Sequence, residues 1–319
     1  MRQFIFKISD VAVSVKADNP AVFAVLKAFF SGYTVQNSAG TKHRITISAT
    51  TNRKTPIVPG KDDPLLFSYG RINGYRLKNG ILLLSDESTA VIVDEVHDRA
   101  DAYVDMPVLK RGTEFVSIYI TIALIELLRH HGLYYLHASA VKKGNDSILL
   151  CGMGMSGKTT LSLGLVFKGY SLCSDDAVFL KHEGKAVHAV GFKKDVHVTG
   201  KTLLHYAHAL KGIQPPVPPF RKAMVPYARF RTVNSVIPRT IFFLQLTKRQ
   251  NTKIVPLEST RSMSLLIPQS LMIFFHRGPA DRHIGTLNTL IRQTKAYLCL
   301  CGRDLLKDPL IIFKRISNE

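Results

Sequence analysis

The sequence predicts an α/β protein in which a β-rich accessory domain, residues 1–112, precedes an α/β core, residues 113–319. Three observations lead to this prediction. The first hundred residues alternate apolar and polar side chains with the period of half-buried strands. A glycine-rich octapeptide, 152–159, lies between an apolar strand-like run and a helix-like run. A second apolar run then ends in the adjacent aspartates Asp175 and Asp176, and this order of elements is typical of a βαβ unit.

The accessory domain contains strand and turn patterns but no recognisable chemistry. Alternation is clearest from Phe4 to Val15, and the dipeptides Asn73-Gly74 and Asn79-Gly80 favour hairpin turns. Asn19 followed by Pro20 predicts a helix start, because an asparagine side chain caps free N–H groups and proline fits the first helical position. We interpret this region as a domain for substrate contact or assembly.

The core begins with a helix and two strands. Phe115 to Arg129 predicts a helix that ends at Gly132, and Tyr134 to Val141 reads as a strand. A turn over Lys143 to Asp146 leads into the apolar run Ser147 to Cys151, which suits a buried strand.

The octapeptide after this strand matches G-x-x-x-x-G-K-[ST], a phosphate-binding loop. Its glycines allow the backbone to turn several N–H groups toward an anion at the start of the next helix. Lys158 can reach the β- and γ-phosphates of a nucleotide, and the Thr159 hydroxyl can ligate Mg²⁺. The motif therefore predicts ATP and Mg²⁺, bound by Gly152, Gly154, Met155, Ser156, Gly157, Lys158, Thr159 and Thr160.

The aspartate pair is expected beside this loop. The helix from Lys158 to Lys168 and the strand from Tyr170 to Ser174 complete a βαβ unit, whose right-handed crossover brings both strand ends to one sheet edge. Carboxylates there can hold Mg²⁺ or take a proton from an attacking hydroxyl. We assign the metal to Thr159 and Asp176, although the residues alone leave open which aspartate is the base.

Later elements follow the same α/β pattern. They are a bent strand pair over Val187 to Val198, helices over Thr202 to Leu210, Ser259 to Leu266 and Ile284 to Thr294, and strands over Thr240 to Leu246 and Tyr297 to Cys301.

The chain is basic, with 43 Lys and Arg against 23 Asp and Glu and a net charge of +20. This charge fits either a solvated basic surface or attraction of an acidic partner. The pairs Lys193-Lys194 and Arg221-Lys222 could each neutralise a transferred phosphoryl group or only face solvent. Nucleic acid is disfavoured because no nucleic-acid-binding signature accompanies the basic residues.

The longest apolar-rich run, Phe115 to Leu128, is too short and too polar to span a bilayer. The four cysteines have no metal-ligand spacing, and the start of the chain does not have the pattern of a signal peptide. We therefore expect a cytoplasmic protein with reduced thiols and no membrane contact.

The run from Leu136 to Val141, the loop Gly152 to Thr160, Gly169, and Leu172 to Asp176 together resemble the HPr kinase/phosphorylase family. The likeness covers about 40 residues and is greater to kinase-only relatives such as those that phosphorylate lasso-peptide precursors. The resemblance implies a P-loop core related to phosphoenolpyruvate carboxykinase, with transfer from ATP to a serine hydroxyl. It also implies a catalytic set of His137, Lys158, Asp175 and Asp176. The glutamate-rich signature of the phosphorylase activity is not visible after Asp176, so we expect the forward reaction alone.

Three functions remain open from the sequence. The first is a kinase acting on a serine of an acidic peptide or small protein. The second is a small-molecule kinase on the same scaffold, and the third is a non-catalytic nucleotide-binding regulator. The intact pair Asp175-Asp176 argues against the third, because a regulator could lose one carboxylate. Homo-oligomerisation is also left open.

Overall fold

The computed structural model describes residues 1–33, 41–51, 59–69, 72–78, 80–85, 89–111, 115–216, 221–270, 273 and 277–316. The chain divides into two compact units, Met1–Leu133 and Tyr134–Glu319. The boundary between the two units lies after the helix predicted over Phe115 to Arg129. The sequence instead predicts a boundary before this helix, at residue 112. Within the described residues, no helix is long and apolar enough to cross a bilayer.

The first unit contains, in its described part, one mixed eight-stranded sheet in the order β1-β2-β3-β8-β7-β6-β5-β4. The strands are β1 (Arg2–Ile8), β2 (Val11–Ala17), β3 (His43–Thr51), β4 (Leu65–Tyr69), β5 (Ile72–Leu77), β6 (Gly80–Ser85), β7 (Ala90–Asp94) and β8 (Arg99–Val104). Helix α1 (Pro20–Phe29) packs on β1 and β2, and helix α2 (Thr121–His130) packs on β7 and β8. A π-helical turn, Phe115–Ile120, precedes α2.

The start of α1 confirms the predicted cap. The Asn19 carboxamide oxygen accepts hydrogen bonds from the N–H groups of Ala21, at 2.8 Å, and Val22, at 3.4 Å. Pro20 occupies the first turn, where its missing N–H is not needed.

The two predicted hairpin dipeptides have different outcomes. The turn predicted at Asn73-Gly74 is wrong, because both residues lie inside β5. A Cβ on Gly74 would stand 2.2 Å from the Phe67 ring, so packing on the neighbouring strand explains this glycine. The hairpin predicted at Asn79-Gly80 is confirmed by the antiparallel pairing of β5 and β6, in which Leu77 faces Gly80. Asn79 itself lies outside the described residues.

The second unit is an α/β assembly of several sheets. Its strands are β9 (Tyr134–Leu136), β10 (Ala138–Lys143), β11 (Asp146–Cys151), β12 (Ser171–Ser174), β13 (Val178–Glu183), β14 (Ala186–Gly191), β15 (Val196–Thr199), β16 (Lys222–Val225), β17 (Ser235–Val236), β18 (Thr240–Leu246), β19 (Lys253–Pro256) and β20 (Lys295–Cys301). Its helices are α3 (Lys158–Phe167), α4 (Gly200–His205), α5 (Ser259–Leu266), α6 (Arg277–Gln293), α7 (Asp304–Lys307) and α8 (Ile311–Ile316).

The central sheet has the strand order β12-β10-β11-β18-β20-β19. Strands β11, β18 and β20 are parallel, whereas β10 is antiparallel to both β11 and β12. Strands β11 and β12 therefore run in the same direction and end at the same edge of the sheet. The β11–α3–β12 crossover skips over β10 rather than joining adjacent strands.

Both faces of this sheet are covered, which explains why β11 is continuously apolar from Ile148 to Cys151 rather than alternating. Ile148 and Leu150 belong to one core, shared with α3, whereas Leu149 and Cys151 belong to the other, shared with α5 and α6. The loop that follows β11 is thus attached to a strand that is buried on both sides.

Two predicted strands are wrong in extent because the chain changes sheets within them. The strand predicted over Tyr134–Val141 breaks at His137: β9 pairs with β13 in the sheet β17-β14-β13-β9, and β10 enters the central sheet. The strand pair predicted over Val187–Val198 likewise separates. Strand β14 stays with β13, while β15 pairs with β16 in a two-stranded sheet.

Candidate functional site

The octapeptide forms a tight loop between β11 and α3. Gly152 has φ 151° and Gly157 has φ 95°, conformations that side chains with a Cβ rarely adopt. A Cβ on Gly152 would also stand 2.9 Å from the Leu244 carbonyl oxygen of the neighbouring strand. Met155, with φ 64°, is 84% exposed. The loop is therefore packed tightly against β18.

Lys158 lies over this loop. Its ammonium group donates hydrogen bonds to the carbonyl oxygens of Gly152, at 2.6 Å, and Met153, at 3.1 Å. Burial lowers the pKa of Lys158, and Asp176 opposes this shift. The Ser156 hydroxyl is buried and has no hydrogen-bond partner among the described residues. The loop thus holds one buried cation and one unpaired buried hydroxyl, and both can donate to phosphate oxygens.

Asp175 ties α3 to the end of β12. Its carboxylate oxygens accept hydrogen bonds from the hydroxyls of Thr159 and Ser162, each at 3.0 Å. The backbone carbonyl oxygen of Asp175 accepts a hydrogen bond from the Ser139 hydroxyl. Burial, followed by the adjacent charge of Asp176, raises the pKa of Asp175 to about 6. Asp175 is therefore a buried group whose two oxygens point at the start of α3.

Asp176 is the more exposed aspartate. Its Oδ2 lies 2.5 Å from the Lys194 ammonium group, and its Oδ1 lies 3.4 Å from His137 Nδ1. Burial would raise the pKa of Asp176, but the positive charge of Lys194 and the imidazole of His137 outweigh it and bring the pKa below its ordinary value. Asp176 is therefore an ionised carboxylate whose side chain is 43% exposed.

His137 is held by backbone at the point where the chain passes from β9 to β10. Its backbone N–H donates to the Gln269 carbonyl oxygen at 2.8 Å, and its ring nitrogen Nδ1 lies 2.8 Å from the backbone carbonyl oxygen of Asp176. A carbonyl can only accept, so Nδ1 carries the proton of this bond and Nε2 keeps its lone pair. Burial lowers the pKa of His137, partly offset by Asp176, which favours the neutral ring.

The predicted catalytic residues His137, Lys158, Asp175 and Asp176 thus lie in one site. Among the metal candidates, the Thr159 hydroxyl bonds to Asp175, whereas Asp176 faces Lys194 and His137. Thr160 contacts a further hydroxyl, Thr202 Oγ1, at 2.9 Å.

Three basic residues of the site were left undecided or missed. From the sequence, Lys194 and Lys222 can be either functional or solvent-facing, and no motif marks His197. The pattern of β15 contains the missing signal: Val196 and Val198 are buried, so His197 must face the opposite side. Burial lowers the pKa of His197, and the charges of Lys194 and Lys222 lower it further.

A second cluster of ionisable side chains lies in the first unit. Ligand atoms of Glu95, Glu126 and His130 are within 4.8 Å of one another. Arg76 donates to both oxygens of Glu95, at 2.6 and 3.1 Å, and Arg129 donates to Glu126. Both carboxylates already have a guanidinium partner, which opposes binding of a divalent cation. We interpret the cluster as a structural ion network.

Comparison with known proteins finds a likeness to solved structures only. No family model matches the sequence, and no curated protein matches it. The structure of the HPr(Ser) kinase/phosphatase from Coxiella burnetii is similar over 58% of this chain and 94% of its own length, with 16% identity and a TM-score of 0.32. This degree of likeness does not assign the chain to a family.

The strained glycine gives a first prediction. Gly152→Ala should destabilise the protein by about 1–3 kcal/mol, because alanine is strained at this φ and meets the Leu244 carbonyl. Gly154→Ala is the matched control, since no atom lies within 4 Å of a Cβ built there. Thermal midpoints measured without nucleotide should fall for the first variant and not for the second. Equal losses in both would contradict the described loop.

The second prediction concerns Asp175. Its pKa is raised from 3.8 to about 6 in the folded protein, so between these pH values the folded state holds a proton on Asp175 that the unfolded state has lost. The free energy of unfolding therefore falls as pH rises through this range, by at most about 3 kcal/mol. Asp175→Asn has no ionisable group at this position, so its stability does not change with pH for this reason. The thermal midpoint of the variant relative to wild type, measured in EDTA, should therefore increase from pH 4 to pH 7 (about the range of this titration). A difference that does not change with pH would exclude the raised pKa.

Proposed function

We propose that this chain is an ATP-dependent kinase that transfers the γ-phosphoryl group to a serine hydroxyl of a peptide or small protein. The observation that carries the proposal is the convergence of a phosphate-binding loop, a buried aspartate and an ionised, partly exposed aspartate at one sheet edge. A phosphoryl donor can be held by the first two while the third faces an acceptor.

The loop fits a nucleotide polyphosphate. Gly152 and Gly157 leave room where side chains would stand, and the buried hydroxyl of Ser156 needs an acceptor. Lys158, now bonded to loop carbonyls, can turn its ammonium group to the β- and γ-phosphates.

Thr159 and Asp175 are the residues that we propose to hold Mg²⁺. The Thr159 hydroxyl and the Asp175 carboxylate are 3.0 Å apart, so a cation beside one is within reach of the other, directly or through water. This replaces Asp176, the partner assigned to Thr159 from the sequence. When bound, Mg²⁺ neutralises charge on the β- and γ-phosphate oxygens.

Asp176 is the proposed base. The acceptor hydroxyl oxygen forms the new bond to the γ-phosphorus, the bond to the β–γ bridging oxygen breaks, ADP leaves, and the hydroxyl proton passes to Asp176. A weakly basic carboxylate suffices, because phosphoryl transfer has a loose transition state in which proton removal need not come early.

His137 and Lys194 set the position and charge of this base. His137 is fixed by two backbone contacts and keeps a neutral ring beside Asp176. Lys194 holds Asp176 ionised, and its ammonium group is also suited to stabilise the transferred phosphoryl group. If Lys194 moves to that group, Asp176 loses its ion pair and becomes a stronger base.

The resemblance of residues 136–176 to HPr kinases supports serine and a protein or peptide as acceptor. A small-molecule kinase remains the second candidate, because the same site chemistry would serve any hydroxyl. The full set of Lys158, Asp175 and Asp176 favours either kinase over a nucleotide-binding regulator.

Substitutions in the site test the kinase assignment. Lys158→Ala should remove about 2–4 kcal/mol of transition-state stabilisation, equivalent to a rate loss of roughly 30- to 1000-fold, because a preorganised charge is lost. Asp176→Asn should lower turnover while leaving the affinity for ATP nearly unchanged, since the carboxylate faces the acceptor. Turnover is followed by the mass gain of the phosphorylated acceptor, and nucleotide affinity by fluorescent ATP analogues.

Asp146→Asn is the matched control for these variants. Asp146 is an exposed carboxylate at the opposite end of β11, so its loss should change neither quantity. Wild-type turnover in Lys158→Ala or in Asp176→Asn would refute the proposed roles.

The reaction should run in one direction. The glutamate-rich segment associated with phosphorolysis has no counterpart after Asp176, so phosphorylated product incubated with inorganic phosphate should remain intact. The test is release of pyrophosphate and recovery of unmodified acceptor over the time in which the forward reaction completes. Efficient recovery would overturn the one-way assignment.

A further inference from the structure

The segment from Phe192 to Thr202 runs along the rim of the proposed kinase site. At one end, the Phe192 N–H donates to the Ala177 carbonyl oxygen at 3.1 Å, directly after the aspartate pair. At the other end, Thr202 Oγ1 lies 2.9 Å from Thr160 Oγ1 in the first turn of α3. One end of this segment therefore lies beside the aspartate pair and the other beside the first turn of α3.

Strand β16 adds its own side chains to this rim. In the β15–β16 pairing, Thr199 lies opposite Lys222 and His197 lies opposite Met224. The alternate residues, such as Val196 and Val225, are buried in the core beside α3. The two-stranded sheet thus has one buried valine-rich face and one outward face, formed by His197, Thr199, Lys222 and Met224, which we call the rim face.

The rim face combines a free cation with exposed apolar surface. Lys222 is exposed and forms no ion pair with any residue that the structure describes. Met224 is 55% exposed, and Leu204 on the adjoining helix α4 is 79% exposed. Exposed methionine is typical of surfaces that bind peptides, because its flexible side chain adapts to different partners. Apolar contacts beside one cation suit a peptide better than a small neutral metabolite.

Lys222 is connected to the phosphate-binding helix of the proposed site through three threonines. It lies opposite Thr199, whose hydroxyl is 3.0 Å from Thr202 Oγ1, and Thr202 Oγ1 is 2.9 Å from Thr160 Oγ1. An anionic group that approached Lys222 would therefore be held close to the first turn of α3.

The distribution of charge over the chain points to the same kind of partner. Residues 134–319 contain 27 Lys and Arg against 10 Asp and Glu, whereas residues 1–133 contain 16 against 13. The excess that makes the protein basic is therefore concentrated in the unit that contains the site. Such an excess attracts acidic partners and accelerates their capture.

We propose that the rim face binds an acidic peptide segment of the acceptor, with Lys222 pairing to a carboxylate close to the phosphorylated serine and Met224 contacting an apolar neighbour. This inference rests on the proposed kinase function and names the acceptor that this function uses. It makes Lys222 a residue that selects the acceptor, distinct from the residues that bind ATP.

An oriented peptide library tests the proposal. The peptides have a fixed central serine and randomised flanking positions without other hydroxyl residues, and they are incubated with Mg²⁺ and saturating ATP. Phosphorylated peptides are isolated and sequenced. Enrichment is a ratio within each reaction, so a change in overall rate cancels. The enzymes compared are wild type, Lys222→Glu, and Lys185→Glu, which changes net charge equally at the exposed turn between β13 and β14.

Wild type should enrich Asp and Glu at one or more positions near the serine. Lys222→Glu should lose about fivefold of that enrichment, the upper range for one exposed ion pair, and favour Lys and Arg there instead. Lys185→Glu should keep the wild-type preference.

Two outcomes separate failure of this inference from failure of the kinase assignment. Phosphorylation without acidic preference, or with the same preference in Lys222→Glu, rejects the role of the rim face and leaves the serine kinase standing. If wild type binds ATP but labels no peptide, and labels only free metabolites or nucleic acid, both the peptide kinase and this inference are wrong.

Discussion

The buried carboxylate of Asp175 is the contact on which the rest of the site depends. It joins the first turns of α3 to the end of β12 through the hydroxyls of Thr159 and Ser162. Removing a carboxylate from water is costly, and the raised pKa of Asp175 reflects that cost. The two hydroxyl donors offset part of it and fix the loop relative to the aspartate pair. Because Asp176 is the next residue, the same contacts also place Asp176 beside the loop.

The surroundings give the two neighbouring aspartates different chemical properties. Asp175 is enclosed by α3 and its pKa rises, whereas Asp176 faces Lys194 and His137 and its pKa falls. Two adjacent carboxyl groups with separated pKa values suit different tasks, which is how acid–base roles are commonly divided in enzyme sites. The division follows from the different contacts of the two side chains in the bend after β12, where Asp175 meets the hydroxyls of α3 and Asp176 meets Lys194.

The changes of sheet along the chain bring basic residues to this edge. His137 lies where β9 ends and β10 begins, so its backbone N–H bonds to the Gln269 carbonyl oxygen and its ring to the Asp176 carbonyl oxygen, rather than to a strand neighbour. Lys194 lies in the link between β14 and β15, and Lys222 begins β16. His137 and Lys194 each come from a point where the chain leaves one sheet for another, whereas Lys222 begins the strand that pairs with β15. The site is consequently built at the junction of three sheets within a single unit.

Local features of this protein could be predicted from its sequence: the glycine-rich loop with its flanking strand and helix, the Asn19 cap, and the presence of two aspartates after a buried strand. These depend on residue type and short spacing, and glycine, proline and buried apolar runs restrict the backbone locally. Long-range packing, by contrast, determines that β10 lies between β11 and β12, that Thr159 faces Asp175, and that Lys194 and His137 face Asp176. It also brings His197 under the influence of the charges of Lys194 and Lys222. The order of the strands and the points where the chain changes sheets depend on which buried faces pack together. The alternation of apolar and polar residues along a strand does not specify its pairing partner. The apolar alternation around Val196 and Val198 predicts a strand, but it could not show which charges would lie beside His197.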